Sequence, residues 1–178
     1  MIREMIFVAK TKTLAFIGQR PDTLPWGLNE EHPSCRSLIL VIRSRLAGLI
    51  ENENVRHFAS GMSMGIDLIC AEIVLELKER YADITLEAAI PNGEQDLLWP
   101  LKYRERYREV LRRCDHIYVV SEESADDCFE RRNRYMVDKC DLVLAVWDGN
   151  PGGAEDKIAY AKKENKRIIS VDPFELVD

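Results

Sequence analysis

"RHFASGMSMGIDLICAEIVLELKERY", residues 56 to 81, decides the fold. It opens as an apolar run of strand length and stops at two glycines four positions apart, Gly61 and Gly65. It continues as a long segment in which Ile66, Ile69, Cys70, Ile73 and Leu77 recur at helical spacing. That spacing predicts a helix with one apolar stripe laid against a sheet. The same order recurs along the chain. "TLAFIG" (13–18), "ITLEAAIP" (84–91), "DHIYVVS" (115–121), "DLVLAVW" (141–147) and "RIISVD" (167–172) are strand-length runs rich in β-branched or aromatic residues. Segments 35–53, 101–114, 125–140 and 155–166 are long enough for helices between them. Repeated β-α alternation predicts right-handed crossovers and a mainly parallel sheet covered on both faces. The expected fold class is α/β, a three-layer Rossmann-like domain.

The bulk numbers agree with that reading. A chain of 178 residues, 46% hydrophobic and 31% charged, is read as one domain over 1–178, and "MIREMIFVAK" within residues 1–12 as either an extra strand or an extension. A net charge of −6 counts against duplex DNA or anionic membranes as general partners. Five cysteines, odd in number and without a C-x-x-C pair, suggest reduced thiols in core positions rather than a disulfide framework or a zinc site. His32, His57 and His116 have no paired spacing, so no metal and no cofactor is expected. No run approaches the roughly 20 apolar residues that span a bilayer, and the N-terminus lacks a cleavage-site pattern. A cytoplasmic location without a membrane partner is the expectation.

Ligands in open parallel sheets settle at the carboxyl ends of the strands, where helix N-termini point outward. Both glycine bends, "SGMSMGID" and "DGNPGGAED", fall at such ends. Backbone N–H groups around Gly61 and Gly65, with the positive end of the helix dipole, suit a phosphate, and Ser60 and Ser63 could add hydroxyls. Asp67 reads either as a hydrogen-bond partner for a ligand hydroxyl or as a helix cap. Gly149, Gly152 and Gly153 form the second bend, and Asp148 reads as a sugar contact or a turn cap. Neither bend is G-x-G-x-x-G or G-x-x-x-x-G-K-[ST], which counts against an ordinary dinucleotide dehydrogenase and a P-loop ATPase. Arg131, Arg132 and Arg134 precede the second bend on a helix; such forks bind phosphate bidentately, although a charged run is by default a solvated face.

"GQRP" (18–21), "SGMSMGIDLICAE" (60–72), "AIPNGEQDLLW" (89–99) and "RRNRYMVDKCDLVLAVWDGNPGG" (131–153) together resemble the SLOG superfamily, and most closely its uncharacterised bacterial and phage branch. The superfamily is Rossmann-like and includes Lonely Guy phosphoribohydrolases and DNA-processing protein A. The match runs from about Leu14 to the C-terminus. It implies a pocket for a nucleotide or nucleotide-derived ligand, possible sensor duty, and self-association. Carried over by position, the ligand-binding residues are Gly18, Arg20, Ser60, Gly61, Gly65, Asp67, Gln95, Arg132, Asn133, Asp148, Gly149, Gly152 and Gly153. Trp99 completes a Q…W pattern and reads as a wall over a base or as packing. Gln19, Ser63 and Ala154 depart from the family's histidine, alanine and threonine.

Two other readings stay open. Lonely Guy enzymes break an N-glycosidic bond with an arginine and a glutamate after the glycine loop, chemistry that needs a carboxylate near the sugar. Here Lys157 occupies the glutamate position, so a phosphoribohydrolase would have to use Arg132 with a displaced acid, Glu155 or Asp156. Single-stranded nucleic-acid binding would need a basic groove with exposed aromatics, and "WPLKYRERYREVLRR" (99–113) offers both residue types. Tyr103 and Tyr107, four apart, serve core packing equally well.

Overall fold

A computed structural model describes residues 9–122 and 125–175. Of the segment 1–12, residues 1–8 lie outside the described residues. Ala9 and Lys10 lead into the first strand, their carbonyls accepting from the side-chain amide of Asn54. The elements alternate as the sequence predicts: β1 (Lys12–Gly18), a 3-10 turn (Pro21–Thr23), α1 (Pro33–Glu53), β2 (Val55–Ser60), α2 (Ile66–Leu77), β3 (Thr85–Ile90), α3 (Leu101–Arg113), β4 (His116–Val119), α4 (Cys128–Lys139), β5 (Leu142–Val146), α5 (Glu155–Lys163) and β6 (Arg167–Val171). Local chemistry sets these limits. Pro33 occupies the first turn of α1 behind His32, whose Nδ1 accepts from the Ser34 amide, and Asn54 ends the helix in the left-handed conformation, φ 57°.

The six strands form one all-parallel sheet in the order β4-β3-β2-β1-β5-β6. On one face Leu14, Phe16, Phe58, Leu86 and Leu144 pack with α1, α2 and α3. On the other, Ala15, Ile17, Ala59, Ala89 and Ala145 meet Met136 and Val137 of α4 and Ile158 and Ala161 of α5. The small residues concentrated on this second face let α4 and α5 sit close to the strands. Four of the five cysteines are buried and Cys114 is half-buried.

Two expectations need correction. The single stripe on α2 is too little: Leu68, Ala71, Val74 and Leu75 are buried as well as the stripe residues. The helix touches β1, β2 and β3 on one side and α1 and α3 on the others, so almost its whole circumference is core. Cover on both faces of the sheet also fails at one edge. His116 to Val119 of β4 are all exposed, because α3 packs against α2 rather than over β4.

Candidate functional site

The chain leaves β1 toward β2, β3 and β4, then crosses to β5 and β6 on the other side. The order therefore reverses between β1 and β5, where a parallel sheet opens a crevice at its carboxyl end. Gly18 and Val146 are register partners there, and the Gln19 amide donates to the Val146 carbonyl at 3.3 Å. A cavity of about 370 Å³ lies above them. Its walls come from the β1 loop (Gly18, Gln19, Arg20, Asp22), from α4 (Phe129, Arg132, Asn133), and from the β5 loop and α5 (Trp147, Asn150 to Ala154, Lys157).

The two glycine bends differ sharply. Gly61 and Gly65 are buried. A Cβ on Gly61 would lie 2.7 Å from Arg132 Cζ and 2.9 Å from Asp67 Oδ2. One on Gly65, φ +97°, would meet Pro21 Cδ at 3.0 Å and the Gln19 carbonyl at 3.3 Å. The occupant of the first bend is thus the protein's own guanidinium. Arg132 donates through Nη1 to the Gly61 carbonyl, through Nη2 to Ser63 Oγ (3.4 Å), and through Nε to Asn133 Oδ1 (2.9 Å). Gln95 also reaches the Gly61 carbonyl, its Nε2 donating at 3.1 Å. Ser60 is fully buried; its hydroxyl donates to the Asp67 carbonyl and accepts from the Met62 amide, so it forms no part of the cavity wall. The expectation of converging phosphate donors at this bend gives way to a closed bend braced by Arg132.

The second bend is open. Gly149, Gly152 and Gly153 are exposed, and a Cβ on any of them would meet nothing within 4 Å. The loop holds its own shape: Asp148 accepts from the Asn150 amide and side chain at 3.0 Å, and Trp147 Nε1 donates to the Asn150 carbonyl at 2.7 Å. Burial tends to raise the Asp148 pKa, but these hydrogen bonds outweigh it and leave it below the ordinary aspartate value. Asp148 is accordingly a brace for the turn.

The charges matter most. Arg20, Arg132 and Lys157 lie within electrostatic reach of one another around the cavity, and among the described residues none of them forms an ion pair. Burial lowers the Arg132 and Lys157 pKa values, with Asp67 opposing and Arg20 adding to the fall. Asp67, on the second residue of α2, is 4% exposed and its Oδ1 has no hydrogen-bond partner. One buried carboxylate faces three cations.

Of the acids considered for glycosidic cleavage, Glu155 and Asp156 are exposed and neither lines this cavity, whereas Lys157, one turn position on, does. Asp22 is the carboxylate in the wall. Sequence reasoning missed Asp22, Phe129, Trp147 and Lys157 as wall residues. Only Lys157 carried a signal, through its position after the diglycine.

Two further recesses share walls with this cavity. Arg20, Asp22 and Phe129 also line a cleft of about 550 Å³ that includes Leu28, Met64, Gln95 and Trp99. Asn133, Gly153 and Lys157 also line a groove of about 610 Å³ between α4 and α5. The α3 stripe is different. Tyr103 and Tyr107 are 6% and 4% exposed, Arg106 pairs with Glu30 and Glu72, and Arg104 and Arg108 pair with Asp96. The two tyrosines therefore serve packing and are not presented to bases, and these three arginines are paired within the protein, while Lys102 and Arg113 stay exposed on the same helix. Among the described residues no helix is long and apolar enough to cross a membrane.

A family model described as the YspA SLOG family matches residues 14–176. Proteins named UPF0398 are similar to this chain, among them those of Bacillus thuringiensis (strain Al Hakam) and Bacillus cereus (strain AH187). Each is 28% identical over 159 residues, covering 88% of this chain and 85% of the relative. The solved structure of DNA processing protein A from Streptococcus pneumoniae matches with a TM-score of 0.61 at 21% identity, over 90% of this chain and 50% of that one. The chain thus spans half the length of the streptococcal protein. DNA processing protein A from Helicobacter pylori, solved to describe its single-stranded DNA binding mode, matches with a TM-score of 0.58 at 19% identity, over 92% of this chain and 70% of that one. At these identities the likeness concerns the fold.

Proposed function

The chain belongs to the YspA SLOG family, and we propose that its β1–β5 crevice binds the phosphate of a nucleotide or nucleotide-derived ligand. The observation that carries this reading is the surplus of positive charge: Arg20, Arg132 and Lys157 against the buried carboxylate Asp67 and the exposed Asp22 in the wall. Such a surplus, with Arg132 and Lys157 partly withdrawn from solvent, is relieved by an anion, and the open loop Gly149 to Gly153 lets phosphate oxygens approach the backbone. The base then has the Trp99, Phe129 and Leu28 side of the adjoining cleft. In calorimetry, adenosine 5′-monophosphate is expected to bind at least about tenfold tighter than adenosine, a difference of about 1.4 kcal/mol. Lys157→Glu should erase that preference; equal affinity for nucleoside and nucleotide would sink the reading.

The pH dependence has a definite sign. Lys157 titrates below the ordinary lysine value of 10.5, so its charge, and with it the affinity for phosphate, is lost as pH rises through that lowered pKa. Lys157→Arg should remove this alkaline limb.

Binding without hydrolysis is the reading preferred here, since Glu155 and Asp156 stand outside the crevice. Release of free adenine from adenosine monophosphate, abolished by Asp22→Asn, would overturn that preference.

A second reading places the nucleotide within a single strand of DNA. It is favoured by the recesses that flank the crevice on either side and share its walls, with Phe129 40% exposed on one shared wall. In fluorescence anisotropy, a single-stranded oligonucleotide should then bind with strong salt dependence and be weakened by Phe129→Ala. Binding indifferent to Phe129→Ala would leave the small-ligand reading alone.

A further inference from the structure

Edge strand β4 is the barest of the six strands, with all four of its residues exposed, whereas the other edge, β6, has two of five exposed. Ile117 and Val119 are 51% and 45% exposed on the face shared with Ala88 and Ile90, and Tyr118, on the opposite face, is 40% exposed while stacked on Tyr135 at 3.8 Å. An exposed apolar edge invites another strand, and soluble proteins usually blunt it with lysine, proline or a bulge. "HIYV" has none of the first two. The charges flanking it are also unequal: with Arg112 paired to Glu109 and Asp115 to Lys78, exposed Arg113 is left at the start of the strand, and with Asp127 paired to Arg131, exposed Glu122 and Asp126 are left beyond its end. A parallel partner would set like against like. An antiparallel copy related by a two-fold axis brings each basic end onto the other's acidic end.

We propose that β4 is a homodimerisation edge, pairing antiparallel with β4 of a second copy about Tyr118. Ile117 then faces Val119 of the partner subunit, and the two six-stranded sheets become one of twelve. The interface is isologous, as a closed two-fold requires. It lies on the opposite side of β2 and β3 from the β1–β5 crevice, so it stands or falls independently of the ligand reading.

Sedimentation velocity across a concentration series tests it with the whole chain. The wild-type protein is expected to reach twice the monomer mass, and Val119→Lys to weaken association at least about tenfold by placing a charge in the apolar pairing. Arg113→Glu and Glu122→Arg should each weaken self-association, and mixing the two variants should restore a dimer through the matched charges. Because β4 already pairs with β3 and the Val120 amide donates to Ile90, the amides turned to the free edge are those of Ile117 and Val119, and hydrogen exchange should show these two protected only in the dimer. A monomer at every concentration, or a dimer that Val119→Lys leaves intact with the Ile117 and Val119 amides still exchanging freely, overturns the proposal.

Discussion

Arg132→Ala is expected to lower the unfolding free energy by about 3 kcal/mol, read as a fall in the denaturation midpoint at unchanged slope. The side chain is 2% exposed, and its guanidinium joins α4 to the bend after β2 through Gly61 and Ser63. Truncation opens a void, strips the Gly61 carbonyl of its charged donor, and leaves Asp67 with one fewer cation, Lys157 still acting on it. Arg132→Lys keeps the charge but not the fork, so it should fall between the two. Asp67→Asn should recover part of the loss in the Arg132→Ala background, because it removes a buried charge whose compensation has been reduced. Gly61→Ala acts on the same contact from the other side, displacing the guanidinium with its new Cβ. Its effect should therefore be strongly non-additive with Arg132→Ala. A loss that appears only when nucleotide is present would show instead that Arg132 works through the ligand.

The sequence made the sheet legible because every buried strand is an apolar run bounded by glycines, prolines or charges, and all six runs became strands within two residues. The helices were legible by length, yet α2 was misjudged because a stripe such as Ile66, Ile69 and Ile73 does not reveal how many neighbours surround a helix. Sheet order is likewise absent from local pattern. That β5 lies against β1, the fact that creates the crevice, depends on a crossover of the whole chain. The site was legible as two glycine bends, while their different fates were not. "SGMSMG" and "DGNPGG" look alike in composition; what separates them is that Arg132, seventy-one residues away from Gly61, fills the first from inside. Side chains brought in by tertiary packing, such as Phe129 and Asp22, have no local signature at all.

Gly18→Ala is the companion case and should be at least as damaging, at about 3 kcal/mol. The reason lies outside backbone conformation, since Gly18 does not take a positive φ. An added Cβ would overlap Cβ and Cγ2 of Ile66, the first residue of α2 and fully buried. No rotamer change removes a Cβ, so α2 itself would have to move off the sheet, disturbing its contacts with β1, β2 and β3. Ile66→Ala deletes Cγ2 but keeps Cβ, so the double variant Gly18→Ala, Ile66→Ala should be rescued only in part. Full rescue would place the strain elsewhere and defeat this explanation. Gly153→Ala provides the contrast: its Cβ meets nothing, and stability should stay within about 0.5 kcal/mol of wild type. The same substitution in two glycines of one crevice thus separates a residue that lets helix and strand touch from one that leaves space for a ligand. If Gly153→Ala destabilised the fold as much as Gly18→Ala, the β5 loop would be a packing element and the phosphate reading would lose its open side.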